Sequence, residues 1–263
     1  MFTDARLTNM IANAIALLAV SALVVGVLVW VVRRPYFTIQ RIQIEAVQEG
    51  PLVFVTPEGV AATVAGRLAG NFFTLDLNSA RKLIESAPWV RRAQIQRVWP
   101  NALTVRIEEQ QPLAYWNENE MINTWGEAFS ANRAVVPDEV SLPQLSGPPS
   151  SERLVVQRYA ELARWFAPLG LQVQEVSLSP RYAWDVNLSD GVHLNLGRDP
   201  GADVADLHGR QGALPFAARI ERFVQAWPAL MQRLGDRTLA SADLRYPNGF
   251  AIMLTPVPTT TVK

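Results

Sequence analysis

The sequence predicts an α+β protein. It comprises an N-terminal membrane-spanning helix, a small β-α-α-β-β unit, and a mainly antiparallel β region with two amphipathic helices. Three observations predict it. Residues 10–32 run without a charge. Between residues 39 and 108, period-two and helical patterns follow one another in the order strand, helix, helix, strand, strand. Beyond Pro112, short alternating runs separated by Asn, Gly and Pro surround two longer amphipathic stretches.

The apolar run is MIANAIALLAVSALVVGVLVWVV, and within Ala14–Val32 the one polar side chain is Ser21. At ~1.5 Å per residue, 19 helical residues reach about 28 Å, near the ~30 Å of bilayer hydrocarbon. Trp30, Arg33 and Arg34 lie at its end, as interfacial anchors do. The run exceeds the roughly 7–15 apolar residues of a cleaved signal peptide, which favours an uncleaved anchor. Arg6 precedes the run, whereas Arg33, Arg34 and Arg41 follow it. Counted naively, those charges keep the large domain in the cytoplasm, although a long following domain can translocate regardless.

Pro35-Tyr36-Phe37 closes the span, and Ile39–Glu45 reads as a strand. Thr56-Pro57-Glu58 is an N-cap followed by proline, opening a helix with Val60, Val64 and Leu68 on one face and a stop at Gly70-Asn71. Asn78-Ser79 opens a second helix, closed by Pro88. Strands at Val90–Trp99 and Leu103–Glu108 flank a Pro100-Asn101 turn. Further strands are expected at Leu113–Trp116, Met121–Asn123, Ala134–Val136, Val173–Leu178, Trp184–Leu188 and Val192–Leu196, with a turn at Asp190-Gly191. Glu152–Leu169 and Leu214–Leu234 are the amphipathic helices, the second perturbed by Pro228. A hairpin of Ala242–Tyr246 and Phe250–Leu254 around Asn248-Gly249 ends the fold, and the prolines after Thr255 stop pairing. The expected organisation is a tail at 1–9, the span at 10–32, a first domain at 33–110, a β domain at 111–256 and a C-terminal tail at 257–263.

Composition excludes several functions. The 263 residues are 49% hydrophobic and 18% charged, enough to bury a core. Twenty-four basic and 24 acidic residues balance, which argues against a nucleic-acid partner. With no cysteine there is no disulfide, thiolate site or Cys nucleophile. Two histidines, His193 and His208, cannot build a three-histidine metal site. His208 beside Asp203 and Asp206 offers at most weak metal binding. Adjacent Glu108 and Glu109 face opposite sides of a strand and so make a poor catalytic pair. Neither phosphate-binding glycine motif is present. No catalytic constellation, metal site or cofactor is expected.

Three motifs carry a resemblance. The first runs from Pro88-Trp89-Val90 through Trp99-Pro100-Asn101-Ala102-Leu103-Thr104-Val105-Arg106-Ile107-Glu108 to Pro112-Leu113-Ala114-Tyr115-Trp116. The second is His193-Leu194-Asn195-Leu196-Gly197-Arg198, and the third is Asp243-Leu244-Arg245-Tyr246-Pro247-Asn248-Gly249-Phe250-Ala251. Together with the early span, the chain resembles the FtsQ/DivIB family of cell-division proteins over nearly its whole length. The resemblance implies that the first domain is a POTRA domain. It also implies a single-pass inner-membrane protein at the division septum, with the N-terminus cytoplasmic and the C-terminus periplasmic, against the charge count. The implied role is a non-enzymatic scaffold that binds FtsB and FtsL through its β domain. FtsK and the FtsW–FtsI synthase are implied as further divisome contacts. Another POTRA-bearing envelope assembly or secretion protein is the alternative. The expected mode of binding is strand addition to an exposed last strand. The expected partner-binding residues are Arg181, Tyr182, Arg245, Tyr246, Asn248, Gly249, Phe250, Ile252 and Leu254, where Leu254 stands at the family's usual late aromatic. Arg198–Gly212 looks longer than the family's loop and has no assigned role.

Overall fold

A computed structural model describes residues 5–48, 50–137, 139–199, 215–246 and 248–255. The Asp203–Asp206–His208 cluster, most of the Arg198–Gly212 loop, Pro247 and the prolines beyond Thr255 lie outside the described residues. The chain divides into two compact units, residues 1–110 and 111–263.

The first unit begins with α1, Ala5–Val32, whose stretch Asn9–Val32 is long and apolar enough to cross a membrane and is unburied by protein. A 3-10 turn at Pro35–Phe37 leads into β1, Arg41–Ala46. Then come α2 (Pro57–Val64), α3 (Leu77–Glu85), β2 (Val90–Val98) and β3 (Ala102–Glu109). The sheet order is β1-β3-β2, with β1 parallel to β3 from Arg41↔Ala102 to Ala46↔Ile107, and β2 antiparallel to β3. β3 is therefore central, and Leu103, Val105 and Ile107 are fully buried.

Two helix limits differ from expectation. Thr56 caps α2 as read, its Oγ1 accepting from Gly59 N at 3.1 Å. The helix nonetheless stops at Val64, because Gly66 turns left-handed at φ +69°. Leu68 thus leaves the helix and packs with Leu75, Ala80 and Leu103. The cap of α3 is Asp76 rather than Asn78 or Ser79. Its Oδ1 accepts from Asn78 N at 2.9 Å and its Oδ2 from the Ser79 hydroxyl at 2.6 Å. Those bonds, led by the Ser79 hydroxyl, hold its carboxyl below the usual range.

Glu109 anchors the loop before α2. Its carboxylate accepts from the N–H groups of Val53, Phe54 and Val55 at 2.9, 2.8 and 2.6 Å. Glu108, facing the other way, accepts from Arg91 Nη1 at 2.6 Å.

The second unit contains β4 (Pro112–Trp116), β5 (Glu120–Asn123), β6 (Ala128–Phe129), β7 (Gln144–Ser146), α4 (Glu152–Phe166), β8 (Val173–Leu178), β9 (Ala183–Leu188), β10 (His193–Arg198), α5 (Phe216–Leu234), β11 (Leu239–Asp243) and β12 (Ala251–Leu254). They form one nine-stranded sheet, β12-β11-β10-β9-β8-β7-β4-β5-β6. Five neighbour pairs are antiparallel, whereas β4·β7, β7·β8 and β10·β11 are parallel. α4 connects β7 to β8 and α5 lies between β10 and β11, long crossovers of the kind parallel pairing needs.

One face of the sheet is dry. Trp184, Val186, Leu188, Leu194 and Leu196 pack with Leu162 and Phe166 of α4 and with Ile220, Phe223 and Trp227 of α5. The alternate residues on the other face are polar. Asn187 Nδ2 donates to Glu175 at 2.6 Å, and His193 Nδ1 lies 2.8 Å from Asn187 Oδ1. His193 is thus a surface residue.

Three expectations for this unit are corrected. Ala134–Val136 is not a strand: Asn132 Oδ1 accepts from Ala134 N at 3.0 Å and closes a 3-10 turn over Arg133–Val135. Pro228, on the exposed side of α5, does not interrupt that helix. The terminal pair is not a tight Asn-Gly hairpin. β11 begins at Leu239 and ends at Asp243, β12 begins at Ala251, and seven residues join them. Leu244 is drawn into the core, its N–H donating to Asn195 O at 2.9 Å, and Gly249 does not take a left-handed φ.

Candidate partner-binding edge

β12 lies at the end of the sheet order, and β11 is its neighbour. Two hydrogen bonds fix which of its backbone groups turn inward. Thr255 N donates to Thr238 O at 2.9 Å, and Leu244 N donates away from β12, to Asn195 O. With a two-residue period, Ala251 and Met253 pair with Asp243 and Ser241. The N–H and C=O groups of Ile252 and Leu254 therefore point away from the sheet, on the side where no described strand lies. Ile252 is 41% exposed and Met253 66%. Phe250 and Leu254 are half-buried against the core, with the Phe250 ring edge-on to Phe223 at 5.2 Å. The opposite edge strand, β6, has two residues and offers little to pair with.

Strand polarity brings several expected site residues to one end of this sheet. β8 ends at Leu178, β9 starts at Ala183, and β10 and β11 run parallel to end at Arg198 and Asp243. The Ser179–Tyr182 turn and the Leu244–Phe250 connection leave from that same end. Arg181 is exposed, and Tyr182 is 49% exposed with φ +59°. Tyr182 N donates to Ser179 O at 2.9 Å. Tyr246 is 52% exposed, so it is no core residue. Asn248 is exposed and Gly249 half-buried.

Arg245 is held in a fork. Its Nε and Nη2 donate to the two carboxylate oxygens of Asp243 at 2.9 and 2.6 Å, and its backbone N–H also donates to Asp243 at 3.1 Å. The guanidinium hydrogen bond keeps the Asp243 carboxyl below its ordinary range. Gly197 makes room: at φ +74°, a Cβ there would stand 2.7 Å from Arg245 Cγ and 3.1 Å from Arg219 Nη1. Sequence reasoning missed the arginines that brace this end. Arg219 donates to Leu196 O and Arg198 O, both at 2.9 Å, and burial pulls its guanidinium below its usual value. Arg222 donates to Tyr246 O at 3.0 Å and fixes the connection. Arg158 of α4 is ion-paired with Asp199. The sequence carries only a faint trace of two of them, the i, i+3 spacing of Arg219 and Arg222 beside the apolar positions of α5, and nothing in it points to what they hold.

No group of three or more potential metal-ligating residues occurs among the described residues. Chemically, the arrangement is a sheet edge on which the N–H and C=O groups of Ile252 and Leu254 face no described strand, beside exposed tyrosines and a braced cationic rim.

The architecture is that of a single-span membrane protein carrying a small β-α-α-β-β domain and a larger open-sheet domain. The family model for the FtsQ-type POTRA domain matches residues 37–110, and that for the C-terminal part of cell division protein FtsQ/DivIB matches 114–245. The cell division protein FtsQ of Bordetella pertussis is 59% identical over 258 residues, 98% of this chain and 94% of the relative. That of Burkholderia pseudomallei is 43% identical over 96% of this chain and 94% of its own, and that of Nitrosospira multiformis 34% over 95% and 98%. The chain belongs to the FtsQ/DivIB family of cell-division proteins.

Proposed function

We propose that this protein is a non-enzymatic divisome scaffold that captures FtsB and FtsL by adding a partner strand to β12. The observation that carries this reading is the outward-facing backbone of Ile252 and Leu254, beside exposed Ile252 and Met253 side chains. Backbone hydrogen bonds along that edge supply pairing, and side chains supply choice. Tyr246 and Tyr182 give rigid contact area, and Arg181 gives a cation for a partner carboxylate. Asn248 and Gly249 shape the approach to Phe250. In this reading α1 places the two domains on the periplasmic side of the inner membrane at the septum. From there they support assembly with FtsK and the FtsW–FtsI synthase.

The test uses Tyr246→Ala with Phe250→Ala, measured for affinity to the FtsB–FtsL periplasmic segments. The expected result is a loss of at least about tenfold, or ~1.4 kcal/mol. Because Phe250 also packs on Phe223, Tyr246→Ala alone is measured beside it and should weaken binding without lowering the melting temperature. Unchanged affinity in both variants overturns the assignment.

A further inference from the structure

The POTRA unit carries a second surface that strand addition does not use. Three segments meet where the chain arrives from the span. One is the 3-10 turn at Pro35–Phe37, one the Asn71–Thr74 connection between α2 and α3, and one the Trp99–Asn101 turn between β2 and β3. Topology brings the first and third together, since Arg41 at the start of β1 is paired with Ala102 at the start of β3, and hydrogen bonding ties in the second. Phe72 N donates to Phe37 O at 2.8 Å, and Asn101 Nδ2 donates to Tyr36 O at 3.3 Å. Phe37 sits at the centre, its ring 4.9 Å from Phe73 and 5.6 Å from Trp99, with Phe72 5.5 Å from Trp99. The outer members are open: Trp99 is 64% exposed, Tyr36 61% and Phe73 44%. A contiguous aromatic patch of this kind marks an interaction site.

Its place in the chain identifies what covers it. Asn71 Nδ2 donates at 2.5 Å to the carbonyl of Val32, the last residue of α1. The aromatic loops thus stand at the depth where the span leaves hydrocarbon. Arg33 and Arg34 emerge there, and the Arg34 guanidinium lies 3.5 Å from the Trp30 ring centroid. Trp and Tyr beside Arg are the side chains that settle at a membrane–water interface, with the ring among the headgroups and the cation toward phosphate. We propose that this cluster is a second membrane contact: Tyr36, Phe73 and Trp99 sit in the headgroup layer of the leaflet on the domain's side and dock the POTRA domain against it. The inference rests on α1 spanning the bilayer and is independent of partner capture at β12.

The experiment uses the full chain in vesicles of mixed phosphatidylcholine and phosphatidylglycerol whose acyl chains are brominated near the glycerol end. Bromine quenches tryptophan on contact. Trp30→Phe removes the reporter inside the span, and Trp99→Phe added to it removes the reporter in the cluster while keeping a ring against Phe37 and Phe72. The W30F protein is expected to lose emission relative to unbrominated vesicles, and the W30F/W99F protein to lose clearly less. Equal quenching of the two overturns the proposal. So does a Trp99 signal that changes only as the protein-to-lipid ratio rises, which would make a second copy the occupant. Wild type quenched more than W30F reports the span itself; if it is not, the span reading fails and takes this contact with it.

Discussion

At Gly197 one hydrogen atom in place of a methyl group lets two arginines lie over the end of β10. Gly197→Ala adds both left-handed strain and overlap with Arg245, and should cost about 2 kcal/mol of stability in urea unfolding of the soluble domains. The Asp243–Arg245 fork has a pH signature. The folded carboxyl titrates below its unfolded value, so the stabilisation is complete above the unfolded value and is lost as pH falls through the folded one. The stability gap between wild type and Arg245→Ala should therefore be flat near neutrality and close in the acid range, as followed by denaturation at several pH values. Glu109 holds a loop by hydrogen bonds alone: three N–H groups converge on its carboxylate. Glu109→Ala strips all three of a charged acceptor and should destabilise the POTRA domain by about 2 kcal/mol, against much less for Glu108→Ala at its single ion pair.

Among the elements, β12 permits a sharp test, because its two sets of backbone groups do different things. Ile252→Pro removes an N–H that points away from the sheet, so it should keep β11 pairing and, if a partner strand adds there as proposed, weaken partner affinity. Met253→Pro removes an N–H directed at β11 and should destabilise the domain itself. Circular dichroism melting and partner affinity together separate the two outcomes. The elements also show what was readable in advance. α1, β3 and β9 announce themselves by unbroken apolarity or clean alternation over five or more residues. β6 and β7, with two and three residues, are too short for any period to emerge. Ala134–Val136 is apolar enough for a strand, but an Asn132 side chain decides the local backbone. The terminal connection misled because Asn-Gly favours a two-residue turn, whereas Leu244 and Arg222 pull that segment toward the core and α5. Arg245, Tyr246 and Phe250 were legible as a motif. The arginines bracing them were not, since only the sheet brings residue 219 beside residues 196 and 198.

For the whole molecule, the sequence leaves orientation to be decided by a measurement. A phosphatase active only outside the cytoplasm, fused after residue 263, should be active, and the same fusion lacking residues 1–32 inactive. The reverse would uphold the naive charge count. The route of the chain through the first unit carries a mechanical consequence. A tug between the lipid tether and the larger domain enters at Arg41 and leaves past Glu109, at opposite ends of two strands aligned side by side in the same direction. Such a pull cannot peel the rungs apart one by one; it must slide all six paired positions together. Between its two points of attachment the small domain is thereby built as a stiff link.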